Sequence, residues 1–396
     1  SGYFNNDITG VGVVINYIVG AGIAVVITII YYFFVYQPSQ DPYGRTDENA
    51  PAFNANPVDE LFLTWLRRWP KRLLTHFRPC WGETRISNRL ERIFVKCLLA
   101  MSDFQLVTGF SILISGASQL RCGLTTLYWV FIMELAWLSC FTHLVCLTLL
   151  RKYLYHHASE RLWRLIAMGT LVVFVVTGLF CELTFYSNYN YDDSDAAICY
   201  IGLPILGSRF SSDAWAVLIS ALVIMLGFVA RVVKLHRPIS NAFDRTRSWL
   251  SLRGRKVLSF IYEQYREDCR PQTLRLSLLY RPLLAAFLTA RFLLDTLTSV
   301  FCEVAWLCAA FSWGVSNVVR TFDSLSRETS NSVVESRMSD WTFGQVISVV
   351  LLAAPLLAII EYFSSGKSEV RTTIESFLIV NPSSINQTPT KMESQR

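Results

Sequence analysis

The stretch from Met101 to Leu154 reads MSDFQLVTGFSILISGASQL, RCGLTT and LYWVFIMELAWLSCFTHLVCLTLLRKYL, which predicts two apolar helices joined by a short polar turn. Each apolar run is long enough to cross a hydrocarbon core of about 30 Å, which needs about 20 helical residues. The runs nevertheless contain Asp103, Glu134 and His143, and an ionisable side chain at the membrane centre costs at least about 2.5 kcal/mol. We therefore expect these side chains to face the interior of a helix bundle rather than lipid.

The composition of the whole chain agrees with a membrane protein that crosses the bilayer several times. Of 396 residues, 52% are hydrophobic and 17% are charged, against about 25% charged residues in soluble domains. The net charge is +6, but the basic residues cluster between the apolar runs, which is a topology signal rather than a nucleic-acid footprint. The expected partner is therefore a lipid bilayer, and no nucleic acid is expected.

The sequence predicts an all-α fold with seven transmembrane helices and amphipathic cytosolic helices. Its parts are the N-terminus and first span (1–37), a cytosolic linker and amphipathic helix (38–101), spans two to five (102–233), a basic cytosolic segment (234–291), spans six and seven (292–363), and a polar tail predicted to be disordered (364–396). Span six is predicted at Phe292–Trp313 and span seven at Trp341–Phe363, with a polar connector between them. Lys and Arg are dense in the connections after the first, third and fifth spans, which puts the N-terminus outside and the C-terminus inside. The expected location is the plasma membrane or another membrane of the secretory pathway.

The amphipathic helix is predicted over Val58–Phe77, where apolar residues recur at helical spacing. The opposite face carries the basic residues Arg67, Arg68, Lys71 and Arg72. This composition favours a helix lying on the anionic lipid headgroups of the cytosolic side. Packing of the helix against other cytosolic segments is the alternative.

Polar residues inside the predicted spans fall into two layers. The outer layer is Asn16, Glu134, Glu182 and Glu303. The inner layer is Asp103, Gln105, His143, Arg291 and Asp295. The outer layer is either an acidic vestibule for a cation, a proton or an amine, or a set of protonated or hydrogen-bonded carboxyl groups that hold the bundle together. The inner layer, in which Arg291 and Asp295 are spaced to pair along one helix, is either structural or a switch.

The cysteines predict one disulfide and no metal site. The ten Cys residues include no CxxC pair and no zinc-ligand spacing. Cys122 and Cys199 are the two expected in loops on the outer side, which faces an oxidising compartment. A disulfide between them would hold the acidic segment Asp192–Asp195 over the mouth of the bundle.

The sequence favours a receptor or signalling function over an enzyme. It contains no nucleophile elbow, phosphate-binding loop or dinucleotide fingerprint, so no catalytic residue, cofactor or metal is predicted. Seven spans, the outer disulfide and the basic inner loops are typical of a receptor-like protein, and those loops leave room for a cytosolic protein partner. Two alternatives stay open, an ion or small-solute channel or transporter that uses the embedded carboxylates, and a membrane scaffold without transport.

Several short motifs resemble a family of uncharacterised fungal multi-span integral membrane proteins. The motifs are NDITGVGV at Asn6–Val13, SDFQLVTG at Ser102–Gly109, LAWLS at Leu135–Ser139 followed by Thr142–Leu144, EVAWL at Glu303–Leu307, and WTFGQ at Trp341–Gln345. The resemblance implies a fungal protein with several membrane spans. It implies no activity, ligand or catalytic residue.

Overall fold

The computed structural model describes residues 10–39, 55–68, 84–188, 192–201, 211–267, 273–330 and 341–353, together with 355, 357 and 360. This part of the chain is helical, and an isolated antiparallel bridge between Thr125 and Ala196 is its sole strand-like pairing. The α-helices are α1 Val11–Ile30, α2 Pro57–Arg68, α3 Thr84–Gln119, α4 Thr126–Leu149, α5 Arg151–His156, α6 Ala158–Tyr186, α7 Ser212–Leu235, α8 Arg237–Glu267, α9 Thr273–Thr298, α10 Val300–Ser330 and α11 Phe343–Leu351. A π-helical turn, Tyr31–Val35, continues α1.

Six helices in the described ranges are long and apolar enough to cross a membrane. They are Val11–Val35, Glu91–Cys122, Thr126–Leu149, Ala158–Tyr186, Ser212–Leu235 and Val300–Arg327. The all-helical class is thus confirmed, the six candidate spans are compatible with a multi-pass membrane protein, and the first five of them lie where the sequence predicts them. The expected seventh span, Trp341–Phe363, is described only in part and contains the nine-residue helix α11 there. The count of seven and the orientation therefore stay predictions.

The sixth candidate span begins later in the sequence than predicted. Ser299 separates α9 from α10, so the predicted segment Phe292–Trp313 is divided between two helices. α10 then continues through a stretch that was expected to be a polar connector. The break is stabilised by Asp59 of α2, whose carboxylate accepts hydrogen bonds of 2.9 Å from the backbone N–H groups of Val300 and Phe301. Asp59 thus caps the N-terminus of a helix to which it does not belong.

α4 lies at the centre of the bundle. In the most apolar 18-residue segment of α4, 94% of the residues are buried, against 28–44% in the corresponding segments of the other five candidate spans. Side chains around the whole circumference of α4, such as Phe131, Leu135, Leu138 and Phe141, are fully buried. α1, α3, α6, α7 and α10 all pack against α4. Its polar side chains therefore point into protein, as the cost of burying them in lipid requires.

The two ends of the bundle carry different structures. At one end, where α4 begins, backbone hydrogen bonds from Thr126 to Asp195 (2.9 Å) and from Ala197 to Leu124 (2.8 Å) attach the 192–201 loop to the start of α4. We call this the cavity end. At the other end α7 ends and α10 begins, and there Lys234 pairs with an acidic residue of α10. We call this the basic end, and α2, α8 and α9 adjoin it.

The prediction of a disulfide between Cys122 and Cys199 is wrong, because both thiols are free and exposed. The antiparallel bridge brings the two loops together, as the predicted topology requires. However, each cysteine is the last residue of a 3₁₀ turn near the bridge, Leu120–Cys122 before Thr125 and Ala197–Cys199 after Ala196. The two sulfur atoms do not come within bonding distance. Backbone hydrogen bonds, rather than a covalent link, hold this loop at the mouth of the bundle.

α2 covers the first part of the predicted amphipathic helix. Leu63 is 1% exposed, and the Phe62 ring lies 4.2 Å from the ring of Phe301, centroid to centroid. Leu61 and Trp65 belong, like Phe62, to the apolar face predicted for this helix, and they are 73% and 54% exposed. The helix therefore packs on the start of α10 and leaves part of its stripe open. The basic positions Lys71 and Arg72, and the side chains of Arg67 and Arg68, lie outside the described part of the chain.

Candidate ligand-binding cavity

A cavity of about 470 Å³ opens at the cavity end, between α4, α6, α7 and α10. Four carboxylates line it, Glu134, Glu182, Asp193 and Asp213, and Arg320 is the single basic residue among the described lining side chains. Four carboxylates against one guanidinium make the lining negative when all are ionised. A concave site with converging polar groups and a volume of this size is typical of small-molecule binding.

Glu134 projects from the central helix α4 into this cavity. One carboxyl oxygen, Oε1, accepts a hydrogen bond of 2.9 Å from the Thr321 hydroxyl of α10. The other, Oε2, is buried and has no hydrogen-bond partner in the described part of the chain. Buried polar atoms normally have a partner, so Oε2 is an acceptor that a ligand or a water molecule can satisfy.

Glu182 approaches the same cavity from α6. Its side chain is 2% exposed, and its Oε1 atom is likewise buried without a partner among the described residues. The carboxyl groups of Glu182 and Glu134 are close enough to interact electrostatically. Two helices therefore supply two unsatisfied acceptors to one cavity, and the structure brings this pair of the predicted outer layer together.

The floor of the cavity is closed by a cluster of aromatic side chains around Ser220 of α7. The indole N–H of Trp137 donates to the backbone oxygen of Ser220 (2.9 Å), and that of Trp313 donates to its hydroxyl (3.0 Å). Gly314 lets α10 approach this point, because a side chain there would collide with the Trp137 ring. Below the floor, the Trp137 ring stacks on Phe141 with an interplanar angle of 2°. The cavity therefore ends inside the bundle.

Exposed charged residues surround the mouth of the cavity. Asp193 lies in the 192–201 loop, which is hydrogen-bonded to the start of α4. Asp213 lies in the first turn of α7. The α7 helix begins there because the Ser211 hydroxyl accepts a hydrogen bond from the backbone N–H of Ala214 (3.2 Å). The Arg320 guanidinium donates to the side-chain oxygen of Asn317, its neighbour on α10. A cation entering the site would meet the acidic groups of the mouth first.

Two members of the predicted outer layer lie elsewhere. Glu303 is in the first turn of α10 at the basic end, where it pairs with Lys234. The sequence analysis placed Glu303 near the middle or in the outer half of the sixth span. That depth was counted from a predicted start at Phe292, before the helix break at Ser299. Asn16 is buried on α1, and its Oδ1 atom has no hydrogen-bond partner in the ranges described. The predicted vestibule therefore contains Glu134 and Glu182 but neither Asn16 nor Glu303.

Three members of the predicted inner layer join α3, α4 and α6 in the basic half of the bundle. Asp103 accepts two hydrogen bonds from Arg164, from Nε at 3.0 Å and from Nη2 at 2.9 Å. His143 Nδ1 lies 2.9 Å from the Ser102 hydroxyl, and the backbone oxygen of Gln105 accepts a hydrogen bond from α4. A bidentate carboxylate–guanidinium pair is a strong, directional contact. These contacts hold the three helices α3, α4 and α6 at a fixed spacing.

The other two members of the inner layer, Arg291 and Asp295, lie on α9, outside the six candidate spans. Arg291 Nε is 3.9 Å from the Asp295 carboxylate. Asp295 also forms an ion pair with Arg247 of α8, and its backbone oxygen accepts a hydrogen bond of 2.8 Å from Asn56. These residues therefore belong to the contacts of α8, α9 and α2, and not to a layer inside the bundle.

Sequence reasoning missed the contribution of α10 to the cavity. Asn317, Arg320 and Thr321 fell in the stretch that was interpreted as a polar connector. The missed signal is the helical spacing of Val315, Val318, Phe322 and Leu325 within WGVSNVVRTFDSL. The polar residues of this stretch hid the apolar spacing, although a helix that lines a polar cavity is expected to contain polar residues.

Comparison with protein-family models, curated proteins and solved structures finds no match for this chain. The resemblance to fungal membrane proteins therefore stays a prediction. No group of three His, Cys, Asp or Glu side chains in the described ranges is arranged to hold a metal ion. What the site does must accordingly be inferred from the cavity, its two unsatisfied carboxyl groups and its closed floor.

Proposed function

We propose that this protein is a receptor-like multi-pass membrane protein that binds a small organic cation of the amine class. The binding site is the cavity between α4, α6, α7 and α10, with the cavity end outside, in the plasma membrane or another secretory-pathway membrane. The observation that carries the proposal is the pair Glu134 and Glu182, whose buried and unsatisfied carboxyl oxygens both belong to this cavity.

An amine fits these groups better than a neutral or anionic solute. A protonated amine donates charge-assisted hydrogen bonds to carboxylates, and such bonds are about twice as strong as neutral ones. The lining also contains Trp137 and Tyr186, and aromatic faces attract cations. An anion would instead face four acidic side chains, with Arg320 as the single basic residue of the described lining. The acidic mouth favours the same choice, since it concentrates cations before binding.

The closed floor supports sensing over conduction. Beneath Trp137, the α4 side chains Leu138, Phe141 and Leu144 are 0–1% exposed, which indicates dense packing rather than a path. α7 and α10 both run from this floor to the basic end, where Lys234 and Glu303 join them. A ligand that changes the spacing of α7 and α10 at Ser220 would therefore alter the contacts at the basic end. Such helix displacement is a common way to transmit a signal through a bundle.

A ligand-stabilisation experiment tests the proposal. The full chain in phospholipid nanodiscs is heated with a panel of primary and quaternary amines, each paired with the neutral alcohol of the same shape. A ligand at 100 times its Kd stabilises the folded state by about 2.7 kcal/mol. At least one amine should raise the unfolding temperature while its alcohol does not, and Glu182→Gln should abolish the effect.

Glu91→Gln is the matched control, because Glu91 pairs with Lys152 (3.1 Å), away from the cavity. It should leave the stabilisation by amine unchanged. Equal stabilisation by an amine and its alcohol, or an amine effect that survives Glu182→Gln, would show that the carboxyl pair does not bind the ligand. Uptake of the stabilising amine into proteoliposomes would instead favour the transporter alternative.

A further inference from the structure

α9 presents a broad apolar surface that the rest of the described chain leaves uncovered. The side chains with the largest exposure on it are Leu283, Leu288, Phe292, Leu293, Leu294 and Leu297, which are 39–65% exposed. A helix that is apolar around most of its circumference is typical of burial in protein or in lipid. This surface is therefore expected to have an occupant.

The charged residues of α9 between Pro282 and Thr298, Arg291 and Asp295, do not oppose that expectation, because both lie on the stripe that contacts α8. Tyr280, Leu284, Phe287, Arg291 and Asp295 recur at helical spacing and form one stripe. Along it, the rings of Tyr280 and Tyr262 lie 5.9 Å apart, Phe287 packs over Gly254, and Asp295 pairs with Arg247. Between Pro282 and Thr298, the face of α9 opposite this stripe, which includes Leu293, contains no charged residue.

α8 presents a different surface, in which aromatic and basic side chains alternate. Its exposed large apolar residues are Ile239, Trp249, Leu252, Val257, Phe260 and Tyr262. Its exposed basic residues are Arg245, Arg253, Arg255 and Lys256. The Arg253 guanidinium lies 4.7 Å from the centre of the Trp249 ring. Interleaved aromatic and basic side chains are the composition of helices that lie in the headgroup layer of anionic membranes.

Both ends of the α8–α9 pair are attached to candidate membrane spans by single residues. His236 alone separates α7 from α8, and Ser299 alone separates α9 from α10. The pair therefore begins and ends where two spans leave the bilayer. Asp59 of α2 and Asn56, the residue before α2, further fix the junction of α9 with α10.

We propose that α8 and α9 form an interfacial hairpin that is inserted into the leaflet at the basic end. α9 lies among the acyl chains with its uncharged face, and α8 lies above it, with its Arg and Lys side chains among anionic headgroups. The hairpin is thus a lipid-binding surface in addition to the spans, and it is independent of the ligand proposed for the cavity.

Thiol accessibility in the membrane tests this placement. Leu293→Cys puts a thiol on the uncharged face of α9, and Ser259→Cys puts a control thiol on the exposed side of α8. Each full-length variant, in nanodiscs of phosphatidylcholine and phosphatidylserine, is treated with a charged maleimide, and the modified peptides are quantified by mass spectrometry. The rate for each thiol is normalised to its rate in the unfolded chain.

Leu293→Cys should react at least about tenfold more slowly than Ser259→Cys, because its thiol lies below the headgroups. Equal rates would place α9 in water and overturn the proposal.

A second measurement needs no substitution. A membrane-soluble carbene reagent is photoactivated in the same nanodiscs with the unmodified chain. It should label the α9 peptide that contains Leu288–Leu297 about as strongly as the exposed α6 residues Val173 and Phe174, which face outward from the bundle. Labelling of α6 without labelling of α9 would show that the surface is covered by something other than lipid, and would overturn the proposal.

Discussion

Asp59 is the most informative single residue to change, because its carboxylate joins three parts of the chain. It accepts hydrogen bonds from the backbone N–H groups of Val300 and Phe301, both at 2.9 Å, and from the Tyr32 hydroxyl at 3.1 Å. Asp59 itself is 1% exposed. Asp59→Ala therefore removes one of two side-chain caps of α10, the other being the Ser299 hydroxyl. It leaves the buried Tyr32 hydroxyl and two partly buried backbone N–H groups without this acceptor.

The expected loss of stability follows from these contacts. Removing an N-cap costs about 0.5–2 kcal/mol, and a buried donor left unsatisfied costs about 1–3 kcal/mol. The terms are not additive, and water that enters the space of the carboxylate compensates some of them. We expect Asp59→Ala to lower the free energy of unfolding by about 2–4 kcal/mol. Asp59→Asn should cost less, because one amide oxygen can still accept, although its NH₂ group would face a backbone donor.

Asp59 also gives the protein a pH dependence of known sign. Burial raises the pKa of the Asp59 carboxyl above its ordinary value, and the hydrogen bonds from Val300, Phe301 and Tyr32 oppose that shift. A carboxyl group whose pKa is raised by folding contributes most stability when protonated. Its contribution is therefore complete below the unfolded-state pKa of about 3.9 and is lost as the pH rises through the folded-state pKa. Wild-type protein should gain stability relative to Asp59→Asn as the pH falls through that window.

Hydrogen exchange and thermal unfolding in nanodiscs measure both effects. The amides of Val300 and Phe301 should exchange faster in Asp59→Ala, while the amides in the middle of α4 keep their protection. Glu60→Ala is the control, because Glu60 is the exposed neighbour of Asp59 and should leave exchange and unfolding temperature unchanged. Unaltered exchange at Val300 and Phe301 in Asp59→Ala would refute the assignment of Asp59 as a cap of α10.

Three further predictions concern the cavity, the helix contacts and the orientation. Gly314→Leu should collide with Trp137 at the cavity floor, cost about 1–3 kcal/mol of stability and abolish stabilisation by amines in the nanodisc assay; retained amine stabilisation would contradict the position of the floor. Arg164→Ala and Asp103→Ala should each destabilise the protein, and a double-mutant cycle should give a coupling energy of about 1–3 kcal/mol; additive losses would mean that the pair contributes nothing. Asn386 begins the sequence Asn-Gln-Thr, which should stay unglycosylated in secretory-pathway expression if the C-terminus is inside, and a glycan there would reverse the predicted orientation.

The sequence predicted the features that depend on local patterns and on depth along a helix. Five candidate spans follow from runs of about 20 apolar residues. Glu134 and Glu182 could be assigned to one layer because each lies in the outer half of a span whose limits were predicted correctly. Two helices that cross the same bilayer place residues of equal depth side by side, so only their rotation was unknown. The structure turns both carboxyl groups into the same cavity.

The missed features depend on contacts between distant parts of the chain. The local signal for the helix break is small: Ser299 is an N-cap residue whose hydroxyl accepts from the Cys302 N–H (3.1 Å), but one Ser within a long helical run does not by itself predict a break. Its stabiliser, Asp59, is 241 residues from Val300 in the sequence. The predicted disulfide failed for a related reason, since placing two cysteines in neighbouring loops does not fix the direction of their side chains. Glu303 was then misplaced because its depth was counted from the wrong start of the span.

The central position of α4 has a consequence for how the protein is made. α4 leaves the ribosome well before α10, because Thr321, which donates to Glu134, is 187 residues further along the chain. Until α10 is synthesised, the polar side chains of α4 lack the helix that completes their surroundings, and in lipid they are costly. A nascent chain that ends after α7 should consequently be retained by the insertion machinery or degraded, even though five of its spans are complete. Biogenesis of this bundle thus depends on α10 arriving before α4 is released into lipid.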